Sequence, residues 1–65
     1  MILRTQDGTW CCTRSGPSVE LRRPDGRVLC LTGNKLLMFL TDLGVKYDRG
    51  EPLKQIFAQL WRTYV

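Results

Sequence analysis

The sequence predicts an α+β domain of four strands and two helices in the order ββββαα: an antiparallel meander with one face covered by two C-terminal helices. Three observations carry this. Two Asp-Gly pairs, Asp7-Gly8 and Asp25-Gly26, each lie between runs that suit strands, and Asp-Gly is a strong short-range hairpin signal. After Thr32 the apolar spacing changes from every second residue to a helical period. Near the end, Leu53, Ile56, Phe57, Leu60, Trp61 and Tyr64 repeat at i, i+3, i+4, i+7, i+8 and i+11, a continuous stripe on one helix face.

The strands are expected at Ile2 to Gln6, Thr9 to Arg14, Ser18 to Arg23 and Arg27 to Thr32. A two-residue turn at Asp7-Gly8 sets Leu3 opposite Cys12, with Trp10 beside them. A four-residue loop, Ser15-Gly16-Pro17-Ser18, sets Cys12 opposite Leu21. Pro24-Asp25-Gly26 fits a three-residue loop, Pro supplying a type I turn and Gly the left-handed position. Leu21 then faces Leu29 and Val19 faces Leu31, so one sheet face is apolar across all four strands. Arg4 to Arg14 and Arg22 to Thr32 match at Arg, Asp, Gly and Cys with an offset of 18 residues, a faint hairpin repeat.

The first helix places Leu36, Phe39, Leu40 and Leu43 on one face. Thr32 or Asn34 caps its start, and Gly44 stands where a left-handed C-terminal cap belongs. A loop from Val45 to Gly50 follows, and Pro52 opens the second helix at its first turn.

At 65 residues the chain is expected to be one domain, 1–65, with a small core. Its composition, 43% hydrophobic and 25% charged, is that of a globular domain and not of a disordered tail. The longest apolar run, Leu36 to Leu40, is far short of the roughly 20 residues that cross a bilayer. Met1 to Gly8 holds no apolar stretch of signal-peptide length, and the expected location is the cytoplasm, without membrane contact.

Cys11, Cys12 and Cys30 are an odd set with no histidine to join them, so structural zinc, with its four ligands, is not expected. No metal or other cofactor is expected. The adjacent Cys11 and Cys12 point to opposite faces of a strand, and reduced thiols fit a chain without an export signal. Lack of histidine removes the usual partner of a Ser or Cys nucleophile. Asp7 and Asp25 are claimed by turns, Asp48 by a loop and Glu51 by a helix start, which leaves Glu20 and Asp42 with nothing to pair them. An enzyme is not expected.

Seven of the ten basic residues are arginine, the preferred bidentate partner of phosphates. The registers line up Arg4, Cys11, Arg22 and Val28 across the uncovered sheet face, while Arg23 and Arg27 flank a hairpin tip. With Lys35, at a Thr32-Gly33-Asn34-Lys35 junction that resembles an anion cradle at a helix start, these arginines form the candidate nucleic-acid or phosphate site. Apolar residues also stand where polar ones belong. Val28 and Cys30 fall on the uncovered sheet face, Leu37 sits at the edge of the helix stripe, and Met38 lies about 160° to 200° around from it. They mark a candidate protein interface. The expected function is therefore a non-enzymatic binding protein that modulates a larger protein, of the type phages and mobile elements use as inhibitors or regulators, acting as a homo-oligomer. The alternative is a small basic nucleic-acid or phosphate binder using its arginine-bearing sheet face.

Overall fold

Alternation of apolar and polar residues decides how the strands pair. In the computed structural model, which covers Met1–Val65, the strands are β1 (Ile2–Arg4), β2 (Cys11–Ser15), β3 (Ser18–Arg22) and β4 (Val28–Thr32), followed by helices α1 (Gly33–Asp48) and α2 (Leu53–Tyr64). The sheet order is β1-β2-β3-β4, antiparallel throughout. Leu3 faces Cys12, Cys12 faces Leu21, Leu21 faces Leu29 and Val19 faces Leu31, as the sequence predicts.

The connections differ in detail from expectation. The first hairpin is not closed by a two-residue turn, because Asp7 keeps a negative φ and a type I′ turn needs two positive ones. Instead the chain turns over Thr5–Gly8, with the Gly8 N–H donating to Thr5 O at 2.9 Å and the Thr5 N–H donating to Trp10 O at 3.2 Å. β1 consequently ends at Arg4 and β2 begins at Cys11. The second hairpin is tighter than expected: Ser15 pairs directly with Ser18, leaving Gly16 (φ +56°) and Pro17 as a two-residue turn. Glycine first and a φ-locked proline second fit type II′. The third closes as predicted, with Arg23 N–H to Arg27 O at 2.8 Å and Gly26 N–H to Arg23 O at 3.0 Å.

α1 does not stop at Gly44. It continues to Asp48, and the left-handed residue is Gly50 (φ +83°). Gly50 N–H donates to Tyr47 O at 3.0 Å and Glu51 N–H to Lys46 O at 3.3 Å, the paired bonds of a Schellman ending. At the other end Thr32 occupies the N-cap position, but its hydroxyl makes no capping bond. Pro52 is likewise the N-cap of α2 and lies one residue before its first turn, with its carbonyl accepting from Ile56 N–H at 3.0 Å.

The helices cover one sheet face. α1 packs beneath β3 and β4. α2 reaches the first hairpin through Trp10, the residue before β2, whose ring lies 6.3 Å from Phe57 and 6.4 Å from Trp61, centroid to centroid. Between the layers Cys12, Val19, Leu21, Phe39, Ile56, Phe57 and Leu60 are fully buried. Truncating either phenylalanine to alanine would cost about 3–5 kcal/mol in a core of this kind, a large part of the roughly 5–15 kcal/mol that holds a domain folded.

Candidate functional site

With both helices on one side, the opposite sheet face is bare. Strand alternation fills it with a short row of Ser15, Ser18 and Thr32 beside two longer ones. Arg4, Cys11, Arg22 and Val28 are successive register partners, and so are Ile2, Thr13, Glu20 and Cys30. Ile2 is 62% exposed and Val28 45%. Arg4, Glu20, Arg22 and Cys30 are exposed, while Cys11 and Thr13 are half-buried between them. A shallow depression of about 350 Å³, lined by Arg4, Gly8, Cys11, Thr13, Glu20 and Arg22, occupies its centre. Arg4 and Arg22 stand two strands apart, roughly 10 Å at the backbone, and Glu20 is the one carboxylate in the two rows.

The other basic candidates lie elsewhere. Arg23 falls on the covered side by alternation, and its guanidinium carbon sits 5.0 Å from the centroid of the Trp61 ring. Its Nε lies 3.7 Å from Asp25 Oδ1 and has no hydrogen-bond partner although buried. Arg27 shares that side of the tip: its Nε is 3.5 Å from Asp25 Oδ2, and its N–H donates to Asp25 Oδ1 at 3.0 Å. Lys35 is exposed in the first turn of α1, in the helix layer. Arg4 and Arg22 alone of the five therefore share the bare face. Among the apolar candidates, Val28 and Cys30 belong to that face, and Leu37 and Met38 are exposed on α1.

Asp7 has more structural work than a turn residue. Its Oδ1 accepts from the Thr5 hydroxyl at 2.7 Å, the Thr9 hydroxyl at 2.7 Å and the Thr9 N–H at 3.1 Å. Its Oδ2 takes an ion pair from Lys54 Nζ at 3.1 Å. These donors, the Thr5 hydroxyl foremost, hold its carboxyl well below the usual carboxylate range. The Thr5 hydroxyl also accepts from Trp10 N–H at 3.1 Å, so one carboxylate ties the first hairpin to α2. A second depression, about 390 Å³, lies there between Arg4–Asp7 and Pro52–Lys54. Sequence reading missed this latch; its signal was the Thr-x-Asp-x-Thr spacing, which puts hydroxyls on both sides of one acid.

Cys12 is buried, and desolvation, with Cys11 beside it, pushes its thiol up to about 11. Cys11 shares the bare face with Cys30, but β3 stands between their strands. Cys11 Sγ has Thr13 Oγ1 at 3.7 Å. Glu20 and Asp42 lie in different layers, and Asp42 accepts from the Tyr64 hydroxyl at 2.7 Å. No three thiol or carboxylate groups converge as metal ligands, and no helix is long and apolar enough to cross a membrane. Compared with protein families, curated proteins and solved structures, the chain finds no match in any of the three.

Proposed function

We propose that the chain is a small non-enzymatic binding protein that modulates a larger protein, in the manner of phage or mobile-element inhibitors and regulators, and that it docks through the bare sheet face. One observation carries this reading: a whole face of a four-stranded sheet is left uncovered and mixes Arg4 and Arg22 with exposed Ile2 and Val28. Arginine set among apolar side chains is the composition of protein interface cores. Two guanidiniums against one carboxylate favour a partner surface that carries Asp or Glu. The cytoplasm, where thiols stay reduced, is the compartment this reading implies.

A second reading is favoured by the depression between Arg4 and Arg22, which could receive phosphates of a nucleic acid or a phosphate-bearing ligand. No aromatic side chain on this face is available to stack a base, which ranks it second. Pull-down from host lysate with and without nuclease separates the two. Retention of a protein after nuclease, and its loss from Val28→Asp and Arg22→Glu proteins, supports the regulator. Elution by nuclease, with a log–log salt slope near −2 from two phosphate contacts on duplex DNA, supports the alternative.

A further inference from the structure

Beyond target binding, and independently of it, we infer that two copies of this chain pair antiparallel along β4, across a twofold axis at Cys30, to form one continuous eight-stranded sheet. The backbone directions give the register. Ser15 and Ser18 close a two-residue turn and so form a hydrogen-bonded pair. Alternation then turns Ser18, Glu20 and Arg22 toward β2, and Val19 and Leu21 toward β4. On β4 the bonded residues are accordingly Leu29 and Leu31, preceded by Arg27, whose carbonyl accepts from Arg23. The N–H and C=O groups of Val28 and Cys30, and the N–H of Thr32, point out of the sheet. The Thr32 carbonyl serves the start of α1, as an N-cap carbonyl does.

This edge has none of the usual protection. From Val28 to Thr32 there is no charge and no proline, the devices that keep free edges apart. The opposite edge, β1, is three residues long and ends in Arg4. An antiparallel copy centred on Cys30 makes four hydrogen bonds, two between the Cys30 backbones and one from each Thr32 N–H to the other copy's Val28 carbonyl. Because the strand is uncharged, a protein of net charge +4 can pair with itself here without setting like charges face to face.

The helix layer selects a second copy over an extended peptide. α1 lies beneath β3 and β4, so joining two β4 edges brings two α1 helices to about 10 Å, one strand spacing plus half a spacing on either side. That is the distance at which helices pack. The bond from Tyr64 to Asp42 and the contact of Tyr64 with Phe39 turn one side of α1 to α2. At 100° per residue the opposite side, toward the β4 edge, carries Leu37, Leu40, Thr41 and Gly44, and ends in the exposed Asp48 at the last turn of the helix. Leu37 is 60% exposed, and space beside Gly44 is open. The Thr41 hydroxyl already donates to Leu37 O at 2.9 Å, so covering the stretch from Leu37 to Gly44 leaves its polar group satisfied, while Asp48 at the helix end stays in water. A lone peptide on the β4 edge would leave these residues bare.

Sedimentation analysis of the purified protein at high micromolar concentration tests this without any target. The expected mass is twice the 7.5 kDa of the chain. Cys30→Pro removes only an outward N–H, a position where an edge strand tolerates proline, and should yield a folded monomer. Leu37→Glu alters a side chain exposed in the single chain and should weaken pairing by more than about a hundredfold, since two carboxylates per dimer lose water. It decides the matter if far-UV circular dichroism shows the proline variant unfolded. Val45→Glu, on the outward side of α1, should leave the mass doubled. A monomeric wild-type protein, or a dimer that persists in the Leu37→Glu protein, overturns the inference.

Discussion

The guanidinium of Arg23 lies 5.0 Å from the centre of the Trp61 ring, tying the β3–β4 turn to α2. Arg23→Met keeps most of the apolar contact and removes the cation. We expect a stability loss of about 0.5–1 kcal/mol and a shift in tryptophan fluorescence, with target binding intact. Arg22→Met, one residue away on the bare face, should do the reverse. Equal loss of binding in both variants would count against the assignment of faces.

Asp7 links acid stability to the first hairpin. Its folded carboxyl titrates below the unfolded one, so its contribution is present above the ordinary value near 4 and is lost as pH falls from there. In Asp7→Asn that contribution is missing at neutral pH. Melting temperatures of the two proteins should differ at pH 7 and converge in acid, and parallel pH profiles would show that the latch does not stabilise the fold.

Tyr64 gives the opposite sign. Desolvation first, and then its bond to Asp42, push the phenol up to about 12, so the stability it contributes is complete below the unfolded value near 10 and is lost as pH rises through the folded one. Ultraviolet titration of a Tyr47→Phe protein should show late ionisation of the remaining tyrosine. Tyr64→Phe should cost about 0.5–1.5 kcal/mol, read from denaturant midpoints.

Two helix glycines should respond oppositely to alanine. Gly44 lies inside α1, and a Cβ there would meet nothing, so in dilute solution Gly44→Ala should stabilise by about 1 kcal/mol. Gly50 holds φ +83°, and Gly50→Ala should destabilise by about 1–2 kcal/mol through left-handed strain. A gain in both would contradict the placement of the helix end.

These glycines show where the sequence was legible. Sheet registers were readable because a one-residue slip would drive Leu21 and Val19 to the solvent side, so the apolar pattern permits one solution. The α1 terminus was not, because a solvent-facing glycine weakens a helix without ending it. The real stop depends on backbone bonds from Gly50 and Glu51 that leave no periodic trace. For the site, alternation alone put Arg4, Cys11, Arg22 and Val28 in one row. The fate of Arg23 was hidden because its partner Trp61 lies 38 positions away in the chain, beyond any local pattern.

The meander order also governs how the chain reaches its fold. Every strand pairs with its sequence neighbour, the widest partners being Ser18 and Thr32, and β4 passes into α1 with no linker. Loop closure for these steps is short, and topologies of this kind fold fast. Closing α2 onto Trp10 is different: the Asp7–Lys54 pair spans 47 residues, and Trp10 meets Trp61 from still farther along the chain. During synthesis the sheet and α1 can assemble as they emerge, while Trp10 and its side of the core wait for the C-terminal helix. A ribosome-bound chain truncated before Leu53 would therefore expose apolar surface at β1 and β2, the patch on which a chaperone would act.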